Sequence, residues 1–224
     1  MEELIQEFPI AETVAPQEKG ELQVTSGGEY WKDDALKQTG VPLTFEYGIT
    51  DRFQVELEAP YIFLKPEAGT KRSGPGDVEA GFLYNILKKD EPVALSVAAE
   101  IGVPTGDEDK GLGEGETEWG TSVILAKRAG KGQVHLGLGG EFSGDEAGFF
   151  YNLSGVYPFG KLSGTLELSG RGGDEHSLYL VPGVVWRLDA IADELELGAG
   201  VARGLTADSA DWGLVFKATL EFGL

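Results

Sequence analysis

Glutamate recurs at alternate positions through much of this chain, and no other residue type offers as much chemistry. In the segment Arg52–Glu58, Glu56 and Glu58 alternate with Val55 and Leu57. Side chains of a β-strand point alternately to two faces, so the carboxylates share one face. The same pattern elsewhere gives a candidate set of polar-face residues: Glu46, Glu56, Glu58, Glu79, Glu100, Glu118, Glu141, Glu167, Glu196, Glu221, Arg52, Arg171, Arg187, Lys217 and His135. Around water these carboxylates would favour cations; in a closed space they would pair with the basic residues.

Histidine gives little support for catalysis. A serine hydrolase needs a serine, a histidine and an acid within hydrogen-bond reach of one another. His135 shares the polar face with Glu141, while His176 lies between Glu175 and Ser177. Adjacent residues on a strand point apart, so the second trio has poor triad geometry. We therefore expect neither an enzyme nor a cofactor.

An acidic, glycine-rich segment is the other candidate site. Asp107, Asp109, Glu114 and Glu116 could offer oxygen ligands to calcium, but their spacing departs from the EF-hand pattern. Cysteine is absent, which removes disulfides and thiolate metal sites. We expect a solvated acidic loop and no metal site.

The elements that carry these residues are predicted to be strands. About twelve alternating segments follow one another without a convincing helix. They span residues 21–31, 41–48, 52–63, 77–87, 92–103, 117–128, 132–142, 148–157, 161–171, 177–188, 194–204 and 212–222. Such a meander closes most easily into a barrel. We predict an all-β, antiparallel up-and-down barrel of about 12 strands over residues 21–224, after an N-terminal periplasmic arm over residues 1–20.

Several features favour a barrel whose apolar face points outward into a membrane. Tight turns alternate with longer loops at residues 32–40, 65–76 and 104–116, as in transmembrane barrels. The polar face is rich in glycine and serine, which suits a concave interior. Aromatic residues gather near strand ends and resemble interfacial girdles: Trp31, Tyr47, Tyr61, Tyr84, Trp119, Phe142, Tyr157, Trp186 and Trp212. The alternative is a soluble barrel with the same apolar residues turned inward.

Composition narrows the partners and the compartment. The 224 residues carry a formal charge of -20, so nucleic acid is excluded as a partner because its phosphates would be repelled. The sequence contains no run of about twenty apolar residues, so it predicts no membrane helix. Met1-Glu2-Glu3 does not resemble the start of a signal peptide. For an exported protein, we expect a mature form in which Met1 replaces the removed signal.

The turns and loops resemble those of a known family. The carrying motifs are Tyr47–Arg52 with Ala59–Tyr61, Ser73–Asp77, Val103–Asp107 with Gly111, Gly113 and Gly115, and the terminal strand Trp212–Phe222. In this order they are similar to the outer-membrane transporter family labelled "MetA-pathway of phenol degradation". The resemblance implies a β-barrel in the outer membrane of a diderm bacterium. Some relatives are associated with uptake of aromatic compounds, and the family has no established catalytic residues.

The sequence thus predicts a passive pore or transporter for small solutes, either hydrophobic and aromatic compounds or cations. Its expected partners are outer-membrane lipid and the solute. The arm could plug the lumen or bind a periplasmic partner. A closed-lumen barrel with a structural or partner-binding role is one alternative, and a soluble β-barrel carrier with an apolar interior is another.

Overall fold

The computed structural model describes residues 8–87, 93–173, 176–188 and 194–223. Their strands are β1 (Glu21–Lys32), β2 (Leu36–Val41), β3 (Leu43–Thr50), β4 (Phe53–Glu58), β5 (Tyr61–Pro66), β6 (Arg72–Pro75), β7 (Val78–Leu87), β8 (Val93–Val103), β9 (Glu118–Ala129), β10 (Gly132–Ser143), β11 (Glu146–Phe159), β12 (Leu162–Gly172), β13 (Ser177–Leu188), β14 (Glu194–Gly204) and β15 (Trp212–Gly223). A short 3-10 helix covers Glu108–Lys110. Within the described ranges, no helix has the length and apolar character needed to cross a membrane.

The sheet closes on itself. Strands pair antiparallel in the order β1, β3, β4, β7 and then β8 through β15, and β15 returns to β1 with Glu21 opposite Gly223 and Lys32 opposite Trp212. This is a closed barrel of 12 wall strands, which confirms the predicted fold class. We call each wall strand, together with any strand that continues it toward the loop end, a stave. In the described part of the wall, closure leaves no long unpaired edge, as a barrel in lipid requires.

Three neighbouring staves are each interrupted on the way to the loop end of the barrel. Pro42 separates β2 from β3, Ala59-Pro60 separates β4 from β5, and Gly76-Asp77 separates β6 from β7. Proline cannot donate to a ladder, which explains two of the breaks. Beyond them β2 pairs with β1 and β5, and β5 pairs with β6, so the sheet extends past the barrel proper. The sequence prediction of plain loops at 32–40 and 65–76 was wrong here.

The outer surface is apolar. Leu57, Leu136, Leu166 and Phe216 are 39 to 54 % exposed, whereas alternate positions on the same strands face the interior. Aromatic side chains are exposed near stave ends: Tyr47, Tyr61, Tyr84, Trp119, Phe142, Tyr157 and Trp186. Trp31 departs from the predicted girdle. Its ring packs 5.1 Å from that of Tyr179 and lies over Gly213, on the inner face.

Candidate solute path in the barrel lumen

Small side chains form part of the inner wall. Buried inward positions include Ala94, Ser96, Ser122, Ala126 and Ala202. Some are glycine because other lumen side chains occupy the space that a Cβ would need: Glu100 lies against Gly120, and Asn152 against Gly137. Where the wall residues are small, other groups occupy the lumen. These groups form two sets, an N-terminal segment and a set of polar side chains around a cavity.

The first set is the segment 8–19, hereafter the arm. Phe8, Ala11, Val14 and Ala15 are at most 5 % exposed. Val14 packs with Leu83, Ala94, Ile124 and Ala126 of the wall. The arm joins β1 where the backbone N–H of Gly20 donates to the Gly48 carbonyl at 2.8 Å. The described part of the predicted N-terminal arm therefore lies inside the barrel.

Two wall contacts satisfy backbone groups of the arm. Glu167 accepts hydrogen bonds from the backbone N–H groups of Ile10 at 3.2 Å and Ala11 at 2.6 Å. The Val14 carbonyl accepts from Ser96 Oγ at 2.5 Å and from Asn85 Nδ2 at 3.3 Å. An extended segment without a ladder must find such partners when buried. These contacts hold the arm by its backbone.

A third contact runs through amide side chains. Gln17 donates through Nε2 to Gln23 at 2.6 Å, and its backbone N–H donates to Gln54 at 2.8 Å. Gln23 and Gln54 in turn donate to the two carboxylate oxygens of Glu46, at 2.5 and 2.7 Å. Glu46 therefore orients the two glutamines that hold Gln17.

The second set of groups surrounds a cavity of about 250 Å³ between the arm and the wall. Arm residues Ile10–Thr13 line one side. Its charged lining consists of six glutamates and one lysine: Glu12, Glu46, Glu56, Glu58, Glu79, Glu100 and Lys217. In this described lining one lysine faces six carboxyl groups, so the cavity attracts cations and repels anions when those groups are ionised.

The structure divides the predicted polar-face set into several groups. Glu46, Glu56, Glu58, Glu79, Glu100 and Lys217 line the cavity. Arg171 pairs with Glu141 at 3.1 Å, and Arg187 pairs with Glu196 at 2.8 Å. Glu118 and Glu221 lie on inner faces of β9 and β15, whereas His135 and Glu167 lie beneath the arm.

Two residues mark the limits of the sequence reasoning. Arg52 lies in the turn between β3 and β4, where its carbonyl accepts from the Asn85 N–H at 2.8 Å; it is not part of the cavity lining. Glu12 lines the cavity and lies 3.2 Å from Ser122 Oγ, but the sequence analysis missed it. No alternation accompanies Glu12, because the arm is not a strand.

A row of buried polar groups lies under the arm. His135, Ser154 and Glu167 are directly opposite one another on β10, β11 and β12, and each is fully buried. The Phe8 ring packs edge-on 4.8 Å from the His135 ring. Ser154 lies between His135 and Glu167, and His135 Nε2 forms a hydrogen bond with Gln133 instead of with an acid. This order differs from a hydrolase triad, in which histidine bridges serine and acid.

Two of the glycine-containing motifs meet at one joint. Asp77 accepts backbone N–H bonds from Gly106 and Glu114, both at 2.7 Å. Thr105 Oγ1 accepts from the Val78 N–H at 3.0 Å and donates to the Gly76 carbonyl at 3.2 Å. The joint docks the loop 104–117 against the break between β6 and β7.

The acidic loop pairs internally. Lys110 contacts Asp107 at 2.5 Å, and this hydrogen bond lowers the pKa of the Asp107 carboxyl. Leu112 is buried against Gly74 in the same loop. Among the residues that the structure describes, no group of three or more His, Cys, Asp or Glu is placed to hold a metal ion.

A closed barrel with an apolar exterior, aromatic ends and a polar interior defines a β-barrel of the bacterial outer membrane. The family described as "Putative MetA-pathway of phenol degradation" matches residues 11–189, and the chain belongs to it. This confirms the resemblance carried by the motifs.

A solved outer membrane channel shares the fold, and two other solved structures match more weakly. The COG4313 outer membrane channel from Pseudomonas putida F1 superposes with a TM-score of 0.80 at 15% identity, covering 95% of this chain and 99% of that one. The CymD monoaromatic hydrocarbon channel gives 0.49 at 8% identity, covering 93% and 89%. Salmonella typhi OmpF, in complex with daunomycin, gives 0.46 at 8% identity, covering 90% and 97%. No curated protein sequence matches the chain.

Proposed function

We propose that this protein is a passive outer-membrane channel for small solutes. The observation that carries the proposal is the carboxylate-lined cavity, which lies inside a closed transmembrane barrel. Between the wall and the arm the barrel keeps a cavity of about 250 Å³. A barrel with only a structural role could fill the same space with its own large side chains, as small barrels do.

The charge of the cavity sets the class of solute. When they are ionised, the six glutamates against one lysine disfavour anions, while small cations and neutral molecules meet no such barrier. The family's description refers to phenol degradation, and phenol is a small neutral aromatic compound. We therefore place cations and neutral aromatic compounds within the range of solutes, and anions outside it.

Ion selectivity tests this proposal. The parent protein, reconstituted in a planar bilayer under a salt gradient, should show a reversal potential that indicates cation preference. Changing Glu56, Glu79 and Glu100 to Gln keeps side-chain volume and removes three cavity charges, so the reversal potential should move toward zero. Anion preference in the parent would overturn the solute assignment.

A matched control separates the cavity from the general charge of the chain. Glu67→Gln, Asp145→Asn and Glu146→Gln remove three carboxylates from exposed positions at the loop end. We expect a much smaller shift of the reversal potential than with the cavity triple. Equal shifts would assign the selectivity to the surface instead of the cavity.

The alternatives make different predictions. The buried backbone contacts of the arm favour a closed-lumen barrel, which would give no conductance under any of these conditions. A soluble carrier would bury the apolar side chains that this barrel exposes on its outer face. A periplasmic partner for the arm stays a prediction.

A further inference from the structure

A row of basic residues crosses the outer face of the barrel near its loop end. Arg203 of β14 is opposite Trp212 of β15, which is opposite Lys32 of β1. Lys32 is opposite Lys37 of β2, and Lys37 is opposite Lys65 of β5. Residues directly opposite in a sheet share a face, and neighbouring strands lie about 4.8 Å apart. We refer to Arg203, Lys32, Lys37 and Lys65 as the cation row.

The cation row lies on the outer face, directly beyond the apolar band. Two positions before Lys65, Phe63 is 47 % exposed, and two positions after Trp212, Leu214 is 45 % exposed. The Tyr30 and Trp212 rings pack 5.2 Å apart between these levels. Basic and aromatic side chains at this depth stand where a membrane changes from acyl chains to headgroups.

The row is unusual in a chain with a net charge of -20. None of the ion pairs among the described residues involves Lys32, Lys37 or Lys65. Arg203 donates to the backbone carbonyl of Asp211 at 2.9 Å. Carboxylates nearby in sequence are Asp33, Asp34, Glu67 and Asp211, and Asp33 already accepts from two backbone N–H groups of its own turn.

An apolar groove of about 640 Å³ lies on the membrane side of the row. It runs across β13, β14, β15 and β1 and reaches Thr39 of β2. Its lining is mainly apolar and includes Tyr30, Val184, Val201, Leu214 and Phe216 around Gly28, and Glu29 is its one acidic residue among those described. A groove with this lining fits a hydrocarbon chain held against the wall.

Gly28 is the clearest sign that the groove is a feature of the outer wall. A Cβ built at Gly28 would meet no atom within 4 Å, so no neighbour requires glycine there. Its backbone has no positive φ that would require glycine either. Glycine in a strand is less stable than alanine, because it loses more conformational freedom on folding. What Gly28 does provide is empty space opposite Phe216.

We propose that the cation row and the groove together bind a phosphorylated, multiply acylated glycolipid of the lipid A type. The row supplies ammonium and guanidinium groups to the phosphates, and the groove holds one acyl chain. The loop end of an outer-membrane barrel faces the outer leaflet, where lipids of this kind reside. The inference rests on the barrel's orientation and does not require the lumen to conduct.

Binding to defined lipids tests the proposal. The full chain, folded in detergent, is titrated with lipid A, with the same lipid after removal of its phosphates, and with phosphatidylglycerol. Bound lipid is counted by native mass spectrometry. Lipid A should bind at least about tenfold more tightly than either of the others, because each basic side chain at a membrane surface contributes about fivefold.

Two variants separate the headgroup from the acyl chain. The triple variant Lys32→Gln, Lys37→Gln, Lys65→Gln should weaken lipid A binding by on the order of 100-fold. Gly28→Phe fills the groove without changing a charge. It should weaken the binding of lipid A and of dephosphorylated lipid A, and the factor should be similar for the two lipids. Retained heat-modifiable gel migration shows that each variant is folded.

The matched control removes three cations from the opposite rim. Lys19→Gln, Lys127→Gln and Lys131→Gln make the same change of charge at the turn end and should leave lipid A binding within about twofold. Equal loss in both triples would overturn the cation row as the binding site. Equal binding of phosphatidylglycerol would overturn the lipid A assignment, and unchanged binding by Gly28→Phe would overturn the groove.

Discussion

At the residue scale, Asp77 connects two segments that the sequence marks separately. Its carboxylate accepts the N–H groups of Gly106 and Glu114, which belong to a loop without regular pairing. A carboxylate that accepts two backbone N–H groups replaces the ladder that this part of the wall lacks. The motifs around Gly76-Asp77 and Pro104–Gly106 are therefore two sides of one joint.

Asp77→Asn should loosen this joint. The amide keeps one acceptor oxygen but turns its NH2 group toward an N–H donor, which leaves one backbone donor unsatisfied. We expect the free energy of unfolding to fall by about 1–3 kcal/mol. Trypsin should also cut the folded protein faster after Lys110. Asp34→Asn, on an exposed turn, serves as the control; equal cleavage of parent and Asp77→Asn would show that the joint does not hold the loop.

The sequence revealed the motifs at this joint but not their contact. Asp77 and Gly106 are separated by a whole hairpin, and nothing in local spacing tells which backbone groups a carboxylate will meet. Strand parity is a stronger signal. It placed Glu56, Glu58 and Glu100 on one face, and the structure has them around one cavity.

At the element scale, the alternation of apolar and polar residues predicted the strands of the barrel wall. It did not predict the strands that lie beyond the apolar band. The segment 36–41 forms β2, and of its three outward positions only Val41, next to the barrel proper, is apolar, whereas Lys37 and Thr39 are polar. A strand that stands beyond the acyl chains has no reason to alternate in hydropathy. The arm was equally hidden, because backbone hydrogen bonds to Glu167 and Ser96 leave no periodic pattern.

The arm offers a second prediction at this scale. In the double variant Asn85→Ala, Ser96→Ala, the Val14 carbonyl loses both side-chain donors and stays buried. An unsatisfied buried acceptor costs about 1–3 kcal/mol, so the arm should leave its site more often. Single-channel recording should show a higher mean conductance or more frequent openings than the parent.

Control positions for the arm exist on the same wall. Asn152→Ala and Ser163→Ala remove the same two kinds of side chain from buried inner positions, and neither makes a hydrogen bond to the arm in the described residues. This pair should leave openings unchanged. If both double variants behave like the parent, the arm does not limit conductance.

At the scale of the whole molecule, charge is sorted by surface. Carboxylates collect around the cavity, apolar side chains form the outer band, and the cation row lies outside near the loop end. Each location suits a different neighbour: solute and water inside, acyl chains around the band, and phosphate headgroups beyond it. We expect the turn end of the barrel to face the periplasm and the longer loops to face outward.

That orientation is directly testable because the chain has no cysteine. Asp145→Cys places a thiol in the exposed turn between β10 and β11 at the loop end, and Lys131→Cys places one at the turn end. An even number of staves puts both chain ends on the periplasmic side with the short turns. In intact cells a membrane-impermeant maleimide should label Asp145→Cys, and Lys131→Cys should react only after lysis. Labelling of Lys131→Cys alone would invert the barrel and move the cation row to the inner leaflet, away from lipid A.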